Sequence, residues 1–437
     1  MLESCVTSLY PSFPFSLIRT VTSQGLPPRQ FPTSGYVTLD PLDKIEEETL
    51  PFYKPENYYP VSMGEVFGSR YQVVSKLGYG TSSTVWLCRD LREGSYYTLK
   101  LCAKSESSDR EIAISNHLEQ SVSETRKRML RMVLDSFDVV GPEGSLFVCL
   151  IYQPLGMSFT EFQDLLPDQR FSKDLIQRST QLILIALSSM HESGVVHTGK
   201  ATIISGQDYN CTQCELMMED ISPNNILQGV GDSSILSKME EDELKRPIAR
   251  KVLSDRSIYY SRPMPVCSGL PVVSDLGEAR FGKEKHYGDI MPGIYRAPEV
   301  ILEMEWDYKV DIWSIGNMIW DLAESHHLFF AKENGTLSDE QHLAEMVSLM
   351  GPPPPEFLMR SKRCERFWDA EGNWKGSICI PEQTFGLREL HFSGEDKVLF
   401  LNFLRRIFRW LPEERPTAEE LVYDDFLMQP IMAKRDQ

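Results

Sequence analysis

The chain has 437 residues, of which 41% are hydrophobic and 25% charged, the usage of ordinary globular proteins. That excludes a mostly disordered or collagen-like chain, and no uncharged apolar run approaches the roughly 18–20 residues a membrane helix needs. Lys plus Arg number 45 against 63 Asp plus Glu, a formal net charge of −18. Like charges repel, so direct nucleic-acid and anionic-membrane binding are disfavoured, whereas a basic partner or substrate suits such a surface. Nine cysteines, an odd number in so long a chain, form no dense disulfide framework. A reducing compartment follows: cytoplasm, nucleus or both.

Residues 1–38 carry scattered Pro, Ser and Gly without a sustained period and read as a flexible leader. Its first 30 residues have a faint transit-peptide character, but Phe13, Pro14 and Phe15 interrupt any long helix there. An extension over 39–70 follows, acidic from Asp40 to Glu48 and then aromatic and proline-rich from Tyr53 to Pro60. Short β-type runs begin at Tyr71: 71–76, 84–89, 96–102 and 146–152, with one helical stretch over 109–118 between the last two. These define a small strand-rich lobe, 71–153. From 154 to 430 the pattern is helical, with apolar spacings of three and four over 175–192, 310–325, 339–350 and 397–410. The architecture expected is a bilobal α+β enzyme. Residues 228–272 read as an irregular insertion with an acidic run, Glu240 to Glu243.

Leu77-Gly78-Tyr79-Gly80-Thr81-Ser82-Ser83-Thr84-Val85 lies between two strand signals. Glycines at 78 and 80 let a hairpin backbone approach a polyphosphate with its N–H groups, although Ser83 stands where a third glycine is usual. Lys100 follows at a strand end, placed to pair α- and β-phosphates, and Glu111 on the next helix is the carboxylate that would hold it. Lys104 and Glu106 compete for these roles but lie outside the strand and helix proper. Asp275-Leu276-Gly277 follows the apolar Val272-Val273, and a carboxylate there can chelate Mg²⁺ bridging β- and γ-phosphates. Ala297-Pro298-Glu299, the helix opening at Asp311, and Arg415 as a partner for Glu299 complete an ordered set.

In that order and spacing, residues 70–428 resemble the eukaryotic protein kinases. Val195-Val196-His197-Thr198, Tyr152-Gln153-Pro154-Leu155-Gly156, Asp255-Arg256-Ser257-Ile258-Tyr259 and Ser261-Arg262-Pro263 are similar to the SR-protein kinases, which phosphorylate serines in Arg-Ser repeats. The lead-in over 31–59 resembles filamentous-fungal members of that group. The resemblance implies the bilobal kinase fold, with a kinase-group insert over 342–390, and ATP and Mg²⁺ as cofactors. It implies Asp220 as the acceptor of the substrate hydroxyl's proton, with Asn225 and Asp275 holding metal. Leu77 to Ser83, Val85, Lys100, Gln153 and Leu155 would bind the nucleotide, with Tyr152 as gatekeeper, and Asp311 would brace the catalytic loop from below. The partners implied are basic, Arg/Ser-rich protein substrates, acted on by a monomer. Ser222 occupies a position that is usually lysine in kinases. No Ser or Thr lies between Leu276 and Arg296, so Ser/Thr phosphorylation cannot switch that loop, and constitutive activity is expected.

The departure from the kinase pattern is the 21-residue segment 199–219, which separates Thr198 from Asp220. Without it the chain reads Val-Val-His-Thr-Asp-Ile-Ser-Pro-Asn-Asn-Ile-Leu, the motif intact. The segment reads as a translated intron, since Gly199-Lys200 and Glu219-Asp220 are compatible with splice-site codons whose excision restores the aspartate. The alternative is a real loop that displaces Asp220 and leaves a pseudokinase or scaffold. Cys211-Thr212-Gln213-Cys214 within it is a weak zinc signal. The Gly351-Pro352-Pro353-Pro354-Pro355 run reads as a helix-ending linker, Phe367, Trp368 and Trp374 as packing, and Phe403, Ile407, Phe408 and Leu411 as core.

Overall fold

In the computed structural model the described residues are 25–142, 144–199, 221–282, 284–291 and 293–435. The β-branched and aromatic runs that begin at Tyr71 form an antiparallel sheet of six strands: β1 (Val66–Phe67), β2 (Tyr71–Gly80), β3 (Ser83–Asp90), β4 (Tyr96–Ala103), β5 (Asp135–Val140) and β6 (Leu146–Tyr152). Their order is β1-β2-β3-β4-β6-β5. The sequence pattern misses β1, only two residues long, and β5, an edge strand whose half-exposed residues do not alternate. One helix, α1 (Glu106–Ser121), lies against this sheet, its N-terminus capped by Ser105.

The larger lobe is built on α2 (Lys173–Glu192) and α4 (Lys309–Glu324), the second buried along its whole length. With α5 (Asp339–Met350) and α6 (Gly394–Ile407) they enclose one apolar core, which takes in Phe403, Ile407, Phe408 and Leu411 as the spacing predicts. Phe367, Trp368 and Trp374 pack on one another at its edge. Two short strands, β7 (Leu155–Ser158) and β9 (Ile226–Gly229), join β12 (Pro271–Val273) in the order β12-β9-β7, and β8 (Val195–Val196) lies between β7 and β9 in the chain. No helix among the described residues is long and apolar enough to cross a membrane.

Two expectations need correction. The insertion over 228–272 is not irregular: it holds α3 (Ser234–Lys245) and the hairpin of β10 (Arg250–Val252) with β11 (Ser257–Tyr259). Leu236, Met239 and Met264 of this insertion pack on Val74 and Leu87 of the small lobe. Its acidic run is partly internal, because Glu240 bonds Tyr96 and Arg29, while Glu243 is sealed against Arg250 and Arg262. Nor is the leader free over 25–38: Phe31 joins the same apolar cluster, and the Arg29 N–H donates to Gln72 (2.8 Å). Residues 1–24 lie outside the described residues. The acids at 46–48 turn inward as well, Glu47 onto Lys76 and Glu48 onto Lys251. A lysine buried by packing needs a carboxylate beside it, and local pattern does not announce such a pairing.

At the end of α4, burial and then the nearby Glu389 carboxylate push the Glu324 pKa up to about 7. Folding therefore raises this pKa above the ordinary value of about 4.3, so the folded chain binds the proton more tightly than the unfolded one. That stabilisation is complete in acid and is lost as pH rises through the folded pKa. Glu324→Gln is expected to flatten the fall in Tm between about pH 5 and 7.5, followed by thermal denaturation; an unchanged slope would remove Glu324 as its source.

Candidate active site

The β2–β3 hairpin turns at Thr81-Ser82, with Gly80 paired to Ser83 and Gly78 to Val85. A Cβ on Gly78 would meet nothing within 4 Å, so the backbone there faces open space, while a Cβ on Gly80 would sit 2.9 Å from the Ser83 hydroxyl. Ser83 is buried between β2 and β4, opposite Cys102. Val85 lies directly across from Lys100, which stands inside β4 rather than at a strand end.

The Lys100 ammonium lies 3.0 Å from Glu111 on α1 and 3.9 Å from Asp275. Burial is the largest influence and opposes the Lys100 charge, but Glu111, Tyr152 and Asp275 together outweigh it and lift the pKa well above the usual lysine value. The competing residues are elsewhere: Lys104 pairs with Asp138 at the surface, and Glu106 opens α1. Helix α1 is also tied to the segment after Asp275, since Ser107 Oγ and Arg110 each donate to the Gly277 carbonyl at 3.0 Å.

Asp275 has a left-handed backbone, φ +66°, at the end of β12. Ser274 before it donates its N–H and its hydroxyl to the Asn225 carbonyl, both at 2.9 Å. The Ser274 carbonyl in turn lies 3.0 Å from His197 Nε2. Asp311 accepts the backbone N–H groups of His197 (2.9 Å) and Thr198 (3.0 Å), and its Oδ2 lies 2.8 Å from His191 Nε2. Thr198, held at φ +52° despite its branched Cβ, donates its hydroxyl to the Glu278 carbonyl (2.6 Å). The Gly199 carbonyl accepts from Met291 N–H (3.1 Å). His197 before the interruption and Asn225 after it thus meet at Ser274. Asp220 lies outside the described residues, as do 200–219 with Cys211 and Cys214.

Beyond Lys100, Gln153 and Leu155 follow β6 where the two lobes join, and Leu155 pairs with Gly229. Glu299 and Arg415 form a buried, two-pronged pair at 2.6 and 2.7 Å, as their spacing suggests. Sequence reasoning missed Tyr58. Its hydroxyl donates to the carbonyls of Gly80 (3.0 Å) and Thr81 (2.7 Å), tying the extension to the tip of the glycine hairpin. The aromatic run around it was the available signal, but nothing local says what it touches.

The model of the protein kinase domain matches residues 270–427. A serine/threonine protein kinase of Aspergillus fumigatus is 40% identical, covering 92% of this chain and 95% of that one. The serine/threonine-protein kinase SRPK of Physarum polycephalum is 29% identical over 89% and 92% of the two chains. A probable serine/threonine-protein kinase, clkA, of Dictyostelium discoideum is 28% identical over 89% of this chain and 39% of its own. The strand-rich and helical lobes are those of a protein kinase. The chain belongs to the serine/threonine protein kinases and is related to their SRPK and CLK members.

Tyr58→Phe removes the one hydroxyl proton shared between the two hairpin-tip carbonyls without opening a cavity. The expected outcome is a KM for ATP raised about three- to tenfold with kcat changed less, read by steady-state kinetics. An unchanged KM would mean that the hairpin holds its position without Tyr58.

Proposed function

We propose that this kinase transfers the γ-phosphate of ATP to serines in Arg/Ser-rich, basic proteins. The observation that carries the reading is the placement of Lys100 between Glu111 and Asp275, with Asn225 bonded through Ser274 to the base of Asp275. In this reading the hairpin from Leu77 to Ser83, with Val85, covers the phosphates. Lys100 pairs with them, and the Gln153–Leu155 backbone takes the adenine. The partly exposed Asp275 carboxylate, an oxygen ligand beside a lysine, suits a divalent cation on the phosphates. Asn225 and Asp275 would hold Mg²⁺, which supplies positive charge against the phosphate oxygens when bound. Asp220 takes the proton of the serine hydroxyl as its oxygen bonds to the γ-phosphorus and the ADP oxygen leaves.

Basic substrates are supported by the net charge of −18, by the Thr198 signature and by the name of the Physarum relative. The reading includes a monomer in cytoplasm or nucleus that needs no direct nucleic-acid contact. Constitutive activity is part of it. Tyr295 is buried and bonded to Asp321 (2.6 Å), which leaves Tyr287, 71% exposed and bonded to Glu305, as the one accessible hydroxyl between Leu276 and Arg296 among the described residues.

A second reading, a non-catalytic scaffold, is favoured by the 199–219 segment and by Ser222. It is set against the first by assaying labelled γ-phosphate transfer to an Arg-Ser repeat peptide, with the full chain and with a chain lacking 199–219. Transfer by the shortened chain alone is expected if the segment is a translated intron, because His197 before it and Asn225 after it already bond to Ser274. Asp275→Asn in the active form is expected to lower transfer by at least about a thousandfold while leaving Tm within a few degrees. No transfer by either folded chain would give the scaffold reading precedence.

A further inference from the structure

Glu111 is buried, and its two oxygens have different partners. Oε2 faces Lys100, and Oε1 accepts the hydroxyl of Tyr152 at 2.6 Å. Tyr152 is the last residue of β6, 1% exposed, and shares a small apolar cluster with Ile112 of α1, Cys102, Val148 and Leu150. On its ring lies the Arg131 guanidinium, 4.5 Å from the centroid, and the Arg131 backbone N–H donates to Val273 just before Asp275 (2.8 Å). The ring is fixed on two sides, so its hydroxyl points at one place. Burial and the Glu111 charge hold the phenol well above its usual pKa, which keeps it a proton donor.

We propose that Tyr152 is a positioning residue: its hydroxyl latches Glu111, and with it helix α1, in the orientation that presents the carboxylate to Lys100. The inference rests on the kinase reading for its consequence but not for its test. A helix that swung away would have to break the Lys100 pair and the Tyr152 bond, besides the Ser107 and Arg110 ties to Gly277. A charge-assisted hydrogen bond in a water-free site is stronger than an ordinary one. The latch supplies, from within the small lobe, the ordering that a loop phosphate would otherwise provide. That matters in a chain with no Ser or Thr between Leu276 and Arg296.

Tyr152→Phe deletes one oxygen and leaves the ring, its packing and the Arg131 contact in place. Hydrogen exchange on the full chain is expected to run about tenfold faster for the α1 amides around Glu111, with exchange in α2 and α4 unchanged. Mg-ADP affinity, measured by calorimetry, is expected to weaken severalfold. In a Glu111→Ala background the same substitution should add nothing to α1 exchange, the non-additivity expected of two partners in one bond. Unchanged α1 exchange in Tyr152→Phe, or an equal increment in the Glu111→Ala background, would overturn the latch. Faster α1 exchange in Tyr152→Phe, with no phosphate transfer by either the full chain or the chain lacking 199–219, would keep the latch and sink the kinase reading.

Discussion

The carboxylate of Asp311 has no solvent exposure and pairs with no Lys or Arg among the described residues, yet the segment through His197 and Thr198 hangs from it. A buried charge of this kind survives only where hydrogen bonds replace its water. Here the backbone N–H groups of His197 and Thr198 and the ring of His191 do so, and the residue sits in the first turn of α4, where the helix dipole favours a negative charge. Because α4 runs buried through the large lobe, the segment is fixed to a helix packed on every side. From there the chain of contacts passes through His197 and Ser274 to Asn225 and Asp275, and from Asp275 to Lys100. The large lobe thereby sets where the small lobe's Lys100 meets the Asp275 carboxylate.

The small lobe is held by pieces from outside its own sheet. The segment 25–60 and the insertion between β9 and β12 close over β2 and β3, joined by Lys76, Lys251 and Arg250 with their carboxylates and by the cluster around Phe31 and Leu236. The insertion leaves and re-enters the large lobe while packing on the small one, so it bridges the two. Much of the acidic surplus in 46–48 and at Glu240 and Glu243 is consumed internally here. The charge available to a basic partner therefore lies elsewhere on the surface.

Residues whose chemistry demands a fixed spacing were legible without coordinates. Lys100 and Glu111 meet because a strand and the next helix bring them together, and Glu299 meets Arg415 because the family order requires it. The four long apolar periods became helices with ends shifted by at most a few residues, since burial of one face over many turns overrides end effects. Tyr58, the Tyr152 hydroxyl and Ser107 were not legible as functional partners. Their contacts join positions 22, 41 and 170 residues apart. A single tyrosine or serine carries no pattern that names such a partner. The helix in the insertion was hidden by its charges, because ion pairs that close only in the folded state make a buried face look like a solvated one.

The sequence by itself determined the class of protein, the order of its motifs, and the interruption between Thr198 and Asp220. These follow from residue type and spacing, which tertiary structure does not alter. Only the tertiary structure decided that His197 and Asn225 converge on Ser274, that residues 25–60 and the insertion brace the small lobe, and that Glu111 is shared between Lys100 and Tyr152. Each of those depends on burial bringing distant groups within hydrogen-bond range, where the loss of water makes one partner obligatory and so selects a single arrangement.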